Sequence, residues 1–497
     1  MPRLDPLDWV VVALYGAVVV AIGAWANRRQ KTTEDYFLGG RRMRWWAVGI
    51  SLIATSFSSV ALIGFTGYGF SKGLGYLQLQ IGDLVAILVA CAVFLPFFAR
   101  LKLTTAYEYL ERRFGVWART VASALFIGQT LLRTGILVLG PALALSAVTD
   151  LDLELAIVLS GVAALLYSAA GGITAVVWTD MIQLSVVVIG VVLTLGIVWG
   201  DVPGGASAVW EHAEANGKLE AVSFDTSFGT VFSLWGALLA YGTLALSVAG
   251  TNQQAVQRYM SCNDLRSARR AAVLGWAIGF VAVALTLFLG VALAAWSDLT
   301  PDGSVLANAG DRALPLFILH RLPAGLSGLL VAAIFAASMS SMDSAIHSMS
   351  TATLVDFVRR FRRTALEPRA ELRLARVLTA AFGVVAIGLA LLAARGERGL
   401  VDTLITWLGY FAGPLLGLFG LGVLSRRVPE AGALVGVTCG AFFVMLAVMF
   451  DLPTYGAFHP LWLAPVALLV TLLTGSVVSL ALPPPPREQT DGLTLDG

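Results

Sequence analysis

Ser51-Leu-Ile-Ala-Thr-Ser-Phe-Ser-Ser59 sits inside a run without a single charge, from Trp45 to Phe70, and is followed by Gly64, Gly67 and Gly69. The run is long enough to cross a bilayer, which takes about 20 mostly apolar residues. Its centre, where hydrocarbon would lie, is crowded with hydroxyls and small side chains. Two readings follow. The helix breaks here, which is tolerated at membrane depth only where the backbone lines a cavity, and its freed carbonyls can then hold a cation. Alternatively the small residues let neighbouring helices approach closely.

The rest of the chain shows the same solvent. Of its 497 residues 58% are hydrophobic and only 13% charged, with a mean hydropathy of +0.81. A soluble domain of this size needs a far more polar surface, so the excess apolar area faces lipid. Apolar segments of spanning length recur about thirteen times, at roughly 8–26, 45–70, 76–98, 118–147, 153–173, 175–199, 230–257, 271–296, 323–357, 374–395, 401–424, 429–449 and 461–482. The fold class is therefore an all-α polytopic membrane protein of about 13 transmembrane helices. The first segment follows acidic residues and lacks a cleavage site, so it reads as a retained helix. The longest non-basic loop, 200–229, has room for one short amphipathic helix.

Arg and Lys set orientation. Most of the basic residues fall in alternate loops, around Arg28 to Arg44, Arg100 to Arg119, Arg258 to Arg270, Arg359 to Arg376, Arg426, Arg427 and Arg487. This predicts an outside N-terminus and a cytoplasmic C-terminus. The Pro-rich end after Leu482 reads as disordered. Cys91, Cys262 and Cys439 form no metal-ligand spacing, and four scattered histidines make no catalytic or metal cluster. An enzyme is not expected.

Polar groups inside the other spans carry the functional signal. The ninth span contains Ser338-Met-Ser340-Ser341-Met-Asp343-Ser344-Ala-Ile-His347. At about 100° per residue, Ser340, Asp343, Ser344 and His347 share one face. Hard oxygen ligands, one of them anionic, suit a dehydrated Na⁺. His347 reads as a polar residue of a water-filled vestibule rather than a proton relay. Asp180 opens the sixth span, either as an interfacial helix start or as an ion ligand. Arg133 lies deep in the fourth span, which implies either a buried carboxylate partner, Asp180 or Asp343, or an anionic ligand.

The tract Gly171-Gly172-Ile-Thr-Ala-Val-Val-Trp178-Thr179-Asp180-Met-Ile-Gln183, the segment Val256-Gln257-Arg258-Tyr259 and the paired serines Ser340-Ser341 together resemble the sodium:solute symporter family, from about Asp35 to Leu424. The resemblance implies a five-plus-five inverted repeat of the LeuT-like kind. Residues 1–44 would form a peripheral helix and cytoplasmic loop, 45–199 the first repeat (spans 2–6), 230–424 the second (spans 7–11), 425–482 two peripheral spans and 483–497 the cytoplasmic tail. The broken second span then has a mate in the seventh, at Gly250-Thr251-Asn252-Gln253-Gln254.

Carried over by position, the main sodium site uses the carbonyls of Ala54, Phe57 and Ala337 with the hydroxyls of Ser340 and Ser341. A possible second sodium falls on Asp180, Ser340, Asp343 and Ser344. Asp343 stands where the bacterial sialic acid symporters that the chain resembles have serine, which opens the number and nature of the coupled ions. Their substrate positions fall on Ser56, Ser58, Ala61, Tyr76, Gln80 and Arg133, the last as a carboxylate clamp. The outer gate would use Tyr76 with Trp407, Tyr410 and Phe411. The resemblance implies sodium-coupled import of a small polar solute, a sialic acid or other carboxylated sugar. The alternatives are a neutral sugar, inositol, monocarboxylate or amino acid; a uniporter, channel or sensor ranks lower. Na⁺ is the coupling ion, one or two per cycle, with no other cofactor. The remaining expectations are a bacterial inner-membrane location, lipid as the surrounding partner, no nucleic acid, and a functional monomer.

Overall fold

In the computed structural model, residues 5–27, 32–148, 151–364, 366–394, 400–450 and 459–495 are described, apart from some side chains, including those of 166–171 and 400–409. The described residues form helices and connecting turns, with no strand among them. In chain order the helices are α1 (Pro6–Asn27), α2 (Thr33–Leu38), α3 (Trp45–Ser56), α4 (Ser59–Lys72), α5 (Leu79–Val89), α6 (Leu95–Leu101), α7 (Tyr107–Arg113), α8 (Val116–Val148), α9 (Leu153–Asp201) and α10 (Gly205–Ala215). Then follow α11 (Gly242–Thr251), α12 (Gln253–Ser261), α13 (Leu265–Leu299), α14 (Ala313–Arg321), α15 (Leu326–Ala352), α16 (Pro368–Ala393), α17 (Leu400–Leu424), α18 (Glu430–Met449) and α19 (Leu463–Leu480).

Nine helices among the described residues are long and apolar enough to cross a membrane, and α3 with α4 makes a tenth, bent by 68°. Three further apolar helices, Leu153–Ala163, Gly236–Thr251 and Tyr410–Leu424, are shorter. Among the described residues, the expected thirteen segments correspond to these nine spans, the bent pair and the three shorter apolar helices. The fifth and sixth segments are one continuous element, α9, interrupted only at Gly172 (φ 56°, ψ −169°), a conformation essentially restricted to glycine. The expected amphipathic helix of the 200–229 loop is α10.

Helix α15 lies at the centre, against α1, α3, α4, α8, α9 and α16. Every residue from Ala336 to Ala352 is buried, so its hydroxyls and Asp343 face protein and not lipid. Large apolar side chains point outward on the surrounding helices, among them Leu14, Leu88, Val192, Val384 and Leu473. Two glycines set one of the closest crossings. A Cβ on Gly69 of α4 would collide with the Leu287 carbonyl of α13, and one on Gly290 of α13 with the Thr66 carbonyl of α4. The close-packing reading of the second span therefore applies to Gly67 and Gly69, and the break lies upstream of them.

Helix α1 is anchored more firmly than a peripheral span requires. Asp8 is buried, and its Oδ1 accepts the backbone N–H groups of Gly325 and Gly328, both at 2.7 Å. It thereby caps the N-terminus of α15, where the unpaired amides and the helix dipole favour a carboxylate.

The tail departs from the expected disorder. Tyr109 Oη donates to the Leu493 carbonyl at 2.8 Å, and Leu495 N donates to the Val423 carbonyl at 3.0 Å. Leu493 and Thr494 are buried. The Pro-rich stretch extends the chain to a place where an apolar side chain finds a cleft between α7 and α17.

Candidate functional site

The site is built where the broken helix α3–α4 meets α15. Phe57 (φ −90°, ψ 85°) and Ser58 (φ −86°, ψ 172°) leave helical conformation, and Ser58 Oγ accepts the Ala61 N–H at 3.3 Å to start α4. The break frees carbonyls at the end of α3 from intrahelical bonding. Serines of α15 take them up. Ser340 Oγ donates to the Ala54 carbonyl at 2.8 Å and lies 3.0 Å from that of Ala337. Ser341 Oγ donates to the Thr55 carbonyl at 2.8 Å and lies 3.4 Å from that of Ala337. Ala54, Ala337, Ser340 and Ser341 of the expected main sodium site thus share one buried locus. Thr55 joins them, through a carbonyl that sequence reasoning did not assign. Phe57 is buried at the break. Ser59 and Ser338 hydrogen-bond to each other one turn away. The donor set is neutral oxygen throughout, which matches a weakly held monovalent cation. No group of three or more His, Cys, Asp and Glu side chains able to hold a metal occurs among the described residues.

The expected second set divides. Asp180 of α9 and Asp343 of α15 are fully buried. Asp180 Oδ2 accepts from Ser51 Oγ at 2.5 Å and from Arg258 Nη2 at 3.1 Å. Arg258 Nε also donates to Ser51 Oγ at 2.8 Å, its Nη1 to the Gln254 carbonyl at 3.0 Å, and its Nη2 to Ser344 Oγ. Ser344 Oγ in turn contacts Thr55 Oγ1 at 2.9 Å and the Ser340 carbonyl at 2.7 Å. Ser340 and Ser344 therefore spend their hydroxyls on carbonyls and on Arg258, away from the second carboxylate oxygen of Asp180. Arg258, which its position assigned to a basic loop, is 1% exposed and lies in α12. It was missed because it falls just past the expected seventh segment, 230–257, at the head of the basic run Arg258 to Arg270. The available signal was the run Asn252-Gln-Gln immediately after an interrupted span.

Arg258 also answers the question of Arg133. Asp180 is paired with Arg258 and not with Arg133. Arg133 Nη1 points to Gln254 Oε1 at 3.4 Å, its Nε is buried without a hydrogen-bond partner, and among the described residues it forms no salt bridge. Gln254 belongs to α12, the far half of the other broken element, where Asn252 (ψ 128°) separates α11 from α12 and caps the latter.

The other expected substrate positions scatter. Gln80 is buried, and its carbonyl receives Trp276 Nε1 at 3.1 Å. Ala61 is half-buried in the first turn of α4. Ser56 is exposed, and its hydroxyl turns back to the Leu52 carbonyl at 3.3 Å, while Ser58 serves as the cap. Tyr76 stacks in an aromatic group with Phe65, Tyr68 and Phe232, at ring separations of 4.7, 5.9 and 6.0 Å. Phe57 at the break joins through Phe65 at 5.9 Å. Of the expected gate partners, Trp407 lies outside the described side chains, and Tyr410 and Phe411 are half-buried in α17.

The basic end of the molecule is closed by buried polar contacts. Asp356 accepts from Thr105 Oγ1 at 2.6 Å, Ser123 Oγ at 2.9 Å and Arg119 Nε at 2.8 Å. Gln253 binds the backbone of Thr104 and Ala106, and Gln257 binds the Phe37 carbonyl and Thr351. His347 is packed between the rings of Tyr36 and Phe37, with centroids 4.9 and 5.6 Å away. It is an enclosed residue of this seal and does not line an open vestibule.

Comparison with known proteins places the chain. The model of the sodium:solute symporter family matches residues 36–440. Human sodium-coupled monocarboxylate transporter 1 is 33% identical over 445 residues, covering 87% of this chain and 72% of that protein. The human sodium/iodide cotransporter is 31% identical over 448 residues, covering 88% and 69%. The solved structure of a Na⁺-coupled sialic acid symporter, substrate-bound and outward-open, has a TM-score of 0.87 at 25% identity, covering 97% of this chain and 99% of that one. These relatives are transporters and not enzymes.

Proposed function

Because the chain belongs to the sodium:solute symporter family, we propose that it imports a small organic anion, a sialic acid or another carboxylate, together with Na⁺ by alternating access. One observation carries the sodium half of this reading: the hydroxyls of Ser340 and Ser341 reach the carbonyls of Ala54 and Thr55 at the break. With Na⁺ between them the hydroxyls would rotate, and their oxygens would join the carbonyls of Ala54, Phe57 and Ala337 as ligands. Such an ion ties α15 to α3 in one state and releases it in the other, which is the differential affinity that coupling needs.

Arg133 supports the anionic substrate. A guanidinium deep in the protein, with a buried N–H lacking an acceptor and no carboxylate partner among the described residues, suits a planar carboxylate that can take two parallel hydrogen bonds. Monocarboxylate, iodide and sialic acid, named for the relatives, share negative charge and little else. Residues 45–199 and 230–424 act as the two repeats, with their broken helices facing across the site. The basic end is cytoplasmic, the N-terminus lies outside, and the bacterial inner membrane is the expected home.

The test is uptake into proteoliposomes of a panel of labelled carboxylates, sialic acid included, under an inward sodium gradient and in potassium alone. At least one solute is expected to accumulate only with sodium; equal uptake of every solute in both buffers would reject the reading. Ser341→Ala is expected to raise the half-saturating sodium concentration by about tenfold, the equivalent of 1.4 kcal/mol. Arg133→Gln should cut affinity for the transported carboxylate by at least as much while leaving sodium binding intact.

A further inference from the structure

The segment that links α2 to α3 lies where three membrane spans end. Trp25 is one residue from the end of the span Pro6–Ala26, Trp45 opens the bent span, and Trp178 sits in the second turn of the span that starts at Gly172. Tryptophan collects at the depth of lipid headgroups. Trp178 packs edge-on against both Trp25 and Trp46, with ring centroids 6.5 and 6.1 Å away. Trp25, Trp178, Arg42 and Arg44 line a cleft of about 440 Å³. A second cleft, of about 320 Å³, shares Arg42 and Arg44 and is lined by Trp45, Trp46, Asn263 and Ser267. Both volumes fall within the range of small-ligand sites, about 300–1,000 Å³.

The positive charge in these clefts is unspent. Arg41 of the same segment donates to Glu34 and to the carbonyls of Lys102 and Leu103. Arg42 and Arg44 are exposed and, among the described residues, form no hydrogen bond or ion pair through their side chains. The backbone between them is held in place, since Met43 N donates to the Ser261 carbonyl at 3.0 Å. Arg44 is also the N-cap residue of α3 and supplies no side-chain cap, so the first amides of that helix add to the positive potential. Asp35, the carboxylate of the larger cleft, is engaged in capping α2, where its Oδ2 accepts the Thr32 N–H at 3.2 Å. Guanidinium forks are matched to phosphate, and basic pockets between spanning helices take anionic lipid headgroups.

We propose that the paired clefts bind the headgroup of an anionic phospholipid, with Arg42 and Arg44 on its phosphate and the indole rings beside its glycerol backbone and upper acyl chains. The lipid joins the ends of α1, α3 and α9. Through the Met43–Ser261 hydrogen bond the same segment is tied to the end of α12. An occupied site therefore braces one half of each interrupted element, α3 and α12, at the basic end of the molecule. The site does not depend on which solute is carried.

The experiment is native mass spectrometry of the purified, delipidated full-length protein titrated with phosphatidylglycerol, with phosphatidylcholine of the same acyl chains for comparison and inorganic phosphate as competitor. Wild type is expected to bind one phosphatidylglycerol about tenfold more tightly than phosphatidylcholine. Arg42→Gln with Arg44→Gln should abolish that preference, and Arg42→Lys with Arg44→Lys should keep part of it, since charge remains and the planar fork is lost. If the double glutamine variant does not fold, Arg44→Gln alone should weaken phosphatidylglycerol several-fold. Arg362→Gln with Arg363→Gln removes the same charge elsewhere on the basic end and should leave the preference unchanged. Equal binding of the two lipids by wild type would overturn the site, as would wild-type affinity in the double glutamine variant or an equal loss in the Arg362 and Arg363 variant. Displacement of phosphatidylglycerol by inorganic phosphate at matching concentrations would make this a free-anion site and overturn the lipid assignment.

Discussion

One guanidinium, that of Arg258, holds side chains or backbone of α3, α9, α12 and α15 together. Its removal strands Asp180 in the interior, and breaking a buried pair by deleting one partner costs about 3–5 kcal/mol. Arg258→Gln is expected to lower stability by about 3 kcal/mol, and the double substitution Asp180→Asn with Arg258→Gln to recover most of that, because no charge is then left unpaired. Thermal unfolding of the purified variants measures this; a double variant less stable than either single would contradict it. Ser340, Ser341, Asp343 and Asp180 were legible in the sequence because each is a polar residue in an apolar run. Arg258 was not, since an arginine at the edge of an apolar segment and at the head of a basic run reads as a loop residue, and only the fold shows that its short helix is enclosed by protein. Position on the chain also could not tell that Asp180 has two differently engaged oxygens, a property of geometry alone.

Among the elements, the break of the second span was readable because hydroxyls cluster where hydrocarbon should be, and the chain leaves helical conformation at Phe57 and Ser58 within that cluster. The interruption of the seventh at Asn252 was readable from glycine and amides in the same way. What stayed hidden was the use of the glycines downstream, because a small residue at a break and one at a crossing look alike in sequence. The Gly69–Gly290 contact leads to a prediction: Gly290→Val should destabilise by about 1–3 kcal/mol through overpacking, as the obstructing atoms are backbone and cannot rotate away. Asp8 gives a second. Asp8→Ala removes the cap of α15 and should lower stability by about 1–2 kcal/mol, whereas Asp8→Asn should retain part of it. Both are read as shifts in unfolding temperature; an unchanged Asp8→Ala would mean that water replaces the carboxylate.

For the molecule as a whole, the membrane class and the central place of the ninth span follow from composition and from where polarity falls. The tail was misread, because a Pro-rich polar composition says nothing of the few residues beyond it that dock. Deleting residues 490–497 removes the hydrogen bonds from Tyr109 Oη and to the Val423 carbonyl. Faster amide exchange is expected in α7, with sodium binding unchanged; protection of α7 equal to wild type would show that the docked tail is passive. Gly172 bears on how the machine can move. A single non-helical residue separates the two long arms of α9, and Asp180 and Gln183 both lie on the arm that begins there. Gly172 therefore stands beside Phe57 and Asn252 as a third place where a change in a few backbone dihedral angles would re-aim a whole helix.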